Sequence, residues 1–166
     1  MKKTDVIKEV AKELREKIIT IEDLNALFDQ ISVIENFLFK DIKTPLSEKL
    51  KGEIKEDLRL IVENLEKKGI IGKLPNEQFS FFEKIKSELK KFLLIKLEIA
   101  FEPSEDFLLN IKKWLKENVQ QETVLQIKTN PNIVAGLIIE YQGKYLDLSL
   151  AKKIDEIIET ITYERF

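Results

Sequence analysis

The chain has 166 residues, 28 of them Lys or Arg and 30 Asp or Glu, for a formal net charge of −2. An apolar fraction of 43% is enough to bury a core in one domain or two small ones, which argues against disorder. There is no Cys and no His, so disulfides, thiolate or imidazole metal sites, triad nucleophiles and histidine general bases are excluded.

The longest mostly apolar run, Ile133 to Ile139, holds seven residues including a glycine, far below the ~20 needed to span a bilayer. No membrane insertion is expected. The N-terminus turns charged and amphipathic at once, unlike a secretory signal. Both charges are spread along the chain without the basic stripe of a nucleic-acid protein, and an intracellular soluble protein fits best.

Residues 1–92 carry the 3.6-residue period. Val6, Val10, Leu14 and Ile18 make one stripe with Ile7 and Ala11 beside it, and Thr4 stands where an N-cap would. A second helix opens at Thr20, where Thr20-Ile21-Glu22-Asp23 sets a carboxylate three residues after a hydroxyl. Its apolar face continues through Leu24, Leu27, Phe28, Ile31, Ile34, Phe37 and Leu38. A face that wide can serve both a core and an external contact, which makes Leu24, Phe28, Ile31, Ile34 and Phe37 the candidate partner-binding residues.

Thr44-Pro45 starts a third helix, because proline at the first helical position gives up only an N–H with no intrahelical partner. Leu46, Leu50, Ile54, Leu58, Ile61 and Leu65 follow at spacings of three or four. Gly52 lies inside at a cost of about 1 kcal/mol against alanine, which leaves one helix or two pieces open, and Gly69 ends the run. Pro75 opens the next helix, with Phe79, Phe82, Ile85, Leu89 and Phe92 as its expected buried set. Such stripes bury each other as a bundle.

Near Leu93 the period switches to two. Leu93, Ile95, Leu97, Ile99 and Phe101 alternate with Leu94, Lys96, Glu98 and Ala100 as a half-buried strand. Pro103 breaks it, Ser104 caps a helix marked by Phe107, Leu108, Ile111 and Leu115, and Trp114 lies on that helix's flank, either at the core edge or as an interface anchor; the core edge is the expectation. Thr123, Leu125, Ile127 and Thr129 make a second strand, Ile133 to Tyr141 a third and Tyr145 to Leu148 a fourth. Gln142-Gly143 suits a two-residue hairpin loop, and pairing Tyr141 with Lys144 puts Leu137, Ile139, Leu146 and Leu148 on one face. Ser149 caps a last helix bearing Leu150, Ile154, Ile157, Ile158 and Ile161. The fold class is therefore α+β: an N-terminal helical bundle, residues 1–92, followed by a small α/β domain with a four-stranded sheet, residues 93–166.

Chemistry is scarce. Adjacent acids occur at Glu22-Asp23, Glu56-Asp57, Glu105-Asp106 and Asp155-Glu156, and of these Glu22-Asp23 and Glu105-Asp106 fall in first turns of helices, where the dipole favours them. Glu13/Lys17 and Glu63/Lys67 have the i,i+4 order of solvated helix faces. No glycine spacing fits a phosphate loop. Lys84, Lys86, Lys90 and Lys91 read as a mixed-charge helix end, since Glu83 and Glu88 are interleaved. No catalytic, cofactor-binding or metal-binding residue is assigned, and no cofactor is expected.

The segment Asn130-Pro131-Asn132-Ile133-Val134-Ala135-Gly136-Leu137-Ile138-Ile139, followed by Tyr145-Leu146-Asp147-Leu148-Ser149-Leu150, resembles the C-terminal signature of the delta subunit of F-type ATP synthase, called OSCP in mitochondria. Pro131, Gly136, Asp147 and Ser149 match that signature as they stand. Asn130 replaces an Asp, Ala135 a Gly and Leu148 a Gly, and the hairpin glycine falls at Gly143, one place later than usual. Upstream, Leu65-Glu66-Lys67-Lys68-Gly69 with Leu74-Pro75 is similar to the family's central region, with Ile70 where Arg is common. Val10-Ala11-Lys12-Glu13-Leu14 faintly echoes its first helix.

Pro131, Gly136, Gly143, Asp147 and Ser149 read as fold residues: a restricted entry, a close backbone approach, a hairpin, and short acceptors at a strand-to-helix corner. The resemblance implies a non-catalytic stator part. Its helical domain would bind the N-terminal helices of the alpha subunits, and its C-terminal domain the C-terminal ends of the b subunits of the peripheral stalk. The chain would then be cytoplasmic and peripheral to the membrane, within a complex that couples ion transport to ATP synthesis. An unrelated α+β adaptor and a small enzyme using carboxylates alone are the competing readings.

Overall fold

The computed structural model describes residues 3–119, 121–133, 135–150, 152 and 154. Among the described residues the elements run α1 (Lys3–Glu16), α2 (Ile21–Leu38), α3 (Leu46–Lys49), α4 (Glu56–Lys67), α5 (Pro75–Leu89), β1 (Leu93–Ile99), α6 (Glu105–Asn118), β2 (Thr123–Thr129), β3 (Leu137–Tyr141) and β4 (Lys144–Asp147). This is the expected α+β class, with helices first and a four-stranded sheet after them. Two compact units form: one takes residues up to Ile18 together with Glu22–Lys91, the other takes Ile19–Ile21 with the described residues from Phe92 on.

In the helical unit α1 buries Val6, Ile7, Val10, Ala11 and Leu14, the stripe set by its sequence period. It begins at Lys3, so Thr4 lies within the helix and not at its N-cap. α2 buries Leu24, Leu27, Ile31, Ile34 and Leu38, each such side chain contributing roughly 1.5–3 kcal/mol by leaving water. The Pro45 run breaks into α3 and α4 around Gly52, whose φ is +82°. Pro45 itself occupies the N-cap of α3, one place earlier than expected.

Two remote side chains tie these ends together. The Glu66 carboxylate of α4 accepts from the backbone N–H groups of Leu46 and Ser47 at 2.7 and 3.0 Å, and so caps α3. Lys49 Nζ donates to the carbonyls of Phe37 and Lys40 at 2.9 and 2.7 Å, closing the end of α2. α4 ends as expected: Gly69 N–H bonds Glu66 O and Ile70 N–H bonds Leu65 O, a Schellman pair.

α5 buries Phe81 and Gln78 where Phe79 was expected; Phe79 is 42% exposed. At ~100° per residue Phe79 sits about a quarter turn off the face centred on Phe82, Ile85 and Leu89. Charge pairs are also rearranged. Lys67 holds Glu63 as expected, but Lys17 lies past the end of α1 and reaches Asp57 of α4 at 2.8 Å. Lys86 bonds Glu35 at 2.8 Å and also holds Glu83, so the lysine-rich end of α5 is a mixed-charge surface.

In the sheet unit the strand order is β2-β1-β3-β4, with β1 parallel to β2 and antiparallel to β3. Ile95, Leu97 and Ile99 of β1, Leu125 of β2, Leu115 of α6 and Ile19 form the core on the face that α6 covers. Leu125 N–H donates to Ile19 O at 3.0 Å, so the residues between α1 and α2 add a short bridge to the edge of β2. On the opposite face the register partners Lys96 and Glu140 bond at 3.0 Å, and Glu98 pairs with Lys128, the cross-strand arrangement that stabilises a solvated sheet face. Phe101 lies beyond β1, 48% exposed, with its ring against Phe107. Trp114, expected at the core edge, is 54% exposed.

Ser104 caps α6, its hydroxyl accepting from Phe107 N–H at 3.3 Å. The third strand starts at Leu137, later than the Ile133 expected, because the chain turns at Pro131 and reverses φ at Gly136. Val134 of that expected strand lies outside the described residues, as do Ile157, Ile158 and Ile161 of the last helix and the pair Asp155-Glu156.

Candidate protein-interaction surfaces

The signature residues converge on one corner of the sheet unit. Pro131 follows Asn130 in a turn closed by Ile133 N–H onto Asn130 O at 3.1 Å, while Asn130 Oδ1 accepts from Asn132 N–H at 3.1 Å. Asn130 N–H also bonds Ile99 O at 2.8 Å, and its side-chain amide donates to Glu98 Oε2 at 3.1 Å. An aspartate at position 130 could not make that last bond and would set a second carboxylate beside Glu98. Lys128 and then Asn130 hold the Glu98 carboxyl below its ordinary pKa.

Gly136 has φ +95°, and a Cβ there would fall against the Leu148 carbonyl and 2.9 Å from Ser149 Cα. That close approach lets Leu148 N–H reach Leu137 O at 2.9 Å and Leu150 N–H reach Ala135 O at 2.7 Å. Asp147 accepts from Ser149 N–H at 2.8 Å, and its bonds to the Ser149 hydroxyl and N–H lower its pKa. Ser149, buried, accepts from Lys152 N–H at 3.4 Å, an N-cap contact. Gly143 closes the hairpin with Gln142, at φ +75° and +50°, in the register Tyr141↔Lys144, the sign pattern of a type I′ turn. These five residues shape the chain path.

Of the five α2 candidates, Leu24, Ile31 and Ile34 are buried in the core of the helical unit, and Phe28 and Phe37 are half-buried. The middle of a wide stripe faces inward and only its margins stay within reach of a partner. An apolar concavity lies elsewhere in this unit. A cleft of about 470 Å³ runs between α1 and α4, lined by Val6, Val10, Ile61, Leu65 and Ile70, with Glu9, Glu13 and Lys68 among its polar lining. Sequence reading missed it because a stripe's period says which positions are apolar, whereas the gap between two helices depends on how they cross.

Among the described residues no group of three or more acids is placed to hold a metal ion. No helix among them is long and apolar enough to cross a membrane. The lowered carboxyls of Asp57, Glu63, Glu83 and Glu88 take their shifts first from hydrogen bonds to Lys17, Lys67, Lys86 and Lys91, as ion pairs do. The arrangement is suited to binding by shape and charge.

Comparison with known proteins agrees with that assessment. The model of the ATP synthase delta (OSCP) subunit family matches residues 1–161, and the chain belongs to this family. It is a family of structural, non-catalytic subunits, with stator and peripheral-stalk roles. A relative from Buchnera aphidicola, an ATP synthase subunit delta, is 25% identical over 53% of this chain and 50% of its own. One from Persephonella marina is 29% identical over 74% of this chain and 66% of its own. The chain spans about half the length of the Buchnera relative it matches. A chain of the Polytomella F-ATP synthase, solved by cryo-electron microscopy, is 21% identical with a TM-score of 0.39, over 44% of this chain and 94% of that one.

Proposed function

We propose that this chain is a stator subunit of a rotary F-type ATP synthase, joining the catalytic head to the peripheral stalk so that the head resists torque. On this reading residues 1–92 are the domain that takes N-terminal helices of the alpha subunits, and residues 93–166 the domain that holds the C-terminal ends of the b subunits. The work is binding alone, without cofactor, nucleic acid or membrane insertion, at the cytoplasmic periphery of a membrane-bound complex.

Membership of the family across residues 1–161 carries the reading. The α1–α4 cleft supports it, because an amphipathic helix needs a groove for anchors at i, i+3, i+4 and i+7, and in this cleft Ile61 and Ile70 are half-buried above the buried Val6, Val10 and Leu65. Phe28 and Phe37 are the α2 positions open to a partner; Leu24, Ile31 and Ile34 would act by shaping the bundle. Glu9, Glu13 and Lys68 would tune rate and register more than affinity.

The test is titration of a labelled alpha-subunit N-terminal peptide into the full chain at low and high salt. Binding is expected to survive high salt and to weaken at least tenfold in Ile61→Asp. A folded protein that binds at neither salt refutes the reading, and binding lost only at high salt refutes its apolar mechanism.

A further inference from the structure

A second cleft in the helical unit, of about 330 Å³, has a different chemistry. Its lining includes Leu38, Leu46 and Ile71, all buried, and Ile42, which is 66% exposed at the lip. Lys43, Lys49 and Lys73 also line it. Lys49 is committed to the carbonyls of Phe37 and Lys40. Lys43 and Lys73 are exposed, and among the described residues no carboxylate lies within salt-bridge distance of either; Lys17, Lys67, Lys91 and Lys128 each hold one.

The acids nearby keep their charge, but other groups fix where it sits. Glu66, which lines the cleft, caps α3 through Leu46 and Ser47. Asp41 accepts from the Thr44 hydroxyl at 2.5 Å and from Lys43 N–H at 3.3 Å, which holds the loop carrying Ile42 and Lys43. Glu77 lies over Gly72, toward a neighbouring cleft. The result is a buried apolar floor and a lining that sets three lysines against the single carboxylate of Glu66, on a braced rim.

We propose that this cleft is a second docking site, taking an acidic peptide segment anchored by one or two large apolar side chains. The anchors would seat between Ile42 and the Leu38, Leu46 and Ile71 floor, and flanking Asp or Glu carboxylates would meet Lys43 and Lys73. Charge complementarity selects the sign of the partner and speeds its encounter, and the apolar floor favours a peptide over a free inorganic anion. A membrane surface fits less well, because headgroup binding by charge takes clusters of roughly four or more basic residues, and Asp41 and Glu48 are exposed on the same stretch of chain.

The experiment uses the full chain and a fluorescein-labelled helical peptide with Leu and Phe anchors flanked by Glu, beside a counterpart in which every Glu is Lys. Fluorescence anisotropy at two salt concentrations is expected to show saturable binding of the acidic peptide, weaker at higher salt, and none of the basic one. Lys43→Glu with Lys73→Glu should weaken it at least tenfold, while the control pair Lys113→Glu with Lys116→Glu on α6 should leave it unchanged. Equal binding of both peptides, equal loss in both double variants, or binding to phosphatidylserine vesicles without binding to the acidic peptide would each overturn the proposal.

Discussion

The helical unit and the sheet unit secure their chain reversals by different means. In the helical unit two helix ends are held from a distance, Glu66 capping α3 from twenty residues away in sequence and Lys49 closing α2 from twelve and nine residues away, beside the local holds of Asp41 and of the α4 end. In the sheet unit the side-chain caps are local, Ser104 onto Phe107, Asn130 onto Asn132, Asp147 onto Ser149 and Ser149 onto Lys152, all within three residues, and Asn130 alone of these also reaches a remote side chain, Glu98. Local holds form as soon as the chain turns. Remote holds exist only once the helices have packed, so they report the tertiary arrangement and do not direct it.

The largest expected effect is at the corner of the sheet unit. Gly136→Ala combines a positive φ with overlap onto the Leu148 and Ser149 backbone, and is expected to cost about 3 kcal/mol. Gly143→Val, where nothing lies within 4 Å of an added Cβ, carries the backbone strain alone and is expected to cost somewhat more than about 1 kcal/mol. Trp114, the single tryptophan, lies in α6 of the same unit, and denaturation followed by its fluorescence reads both. Equal midpoints for the two variants would show that the Gly136 approach is not tight.

The contrast between remote and local holds is sharpened by Glu66→Ala against Ser149→Ala. Removing Glu66 strips the acceptor from two N–H groups on buried residues, Leu46 and Ser47, at an expected cost of roughly 2 kcal/mol. Removing the Ser149 hydroxyl takes away an N-cap worth about 1 kcal/mol. Hydrogen exchange at the amides of Leu46 and Ser47 should quicken in the first variant and stay unchanged in the second. A larger loss in Ser149→Ala would reverse the comparison.

Acid should produce the smallest and most diffuse effect. Asp57, Glu63, Glu83 and Glu88 in the helical unit, and Glu98 and Asp147 in the sheet unit, have carboxyl pKa values lowered by hydrogen-bonded partners. A depressed folded-state pKa stabilises above the unfolded value and is lost as pH falls through the folded one. Stability should therefore decline as pH drops from the ordinary 4.5 of Glu and 3.8 of Asp toward those lowered values, with these groups exposed or half-buried and each change small. A titration of midpoint against pH that stayed flat across this window would show that the ion pairs contribute nothing measurable.

The local periods and turn residues of the sequence were sufficient for the element types, the switch from helix to strand near Leu93, the Ser104 and Ser149 caps, the Gln142-Gly143 hairpin and its register. Each depends on neighbours a few residues apart, where backbone geometry leaves few alternatives. The family signature was legible for the same reason, since Pro131, Gly136, Asp147 and Ser149 encode a corner in the backbone itself. Tertiary structure alone decided which margin of each stripe stays outside: Ile31 and Ile34 are core, Phe37 is half-buried, and Phe79 gives its place to Phe81. It also decided that Lys17 meets Asp57 instead of Glu13, that Glu66 caps α3, and that clefts open beside α1 and α3. Helix crossing sets all of these, and crossing depends on how side chains distant in sequence fit together, which no local pattern carries.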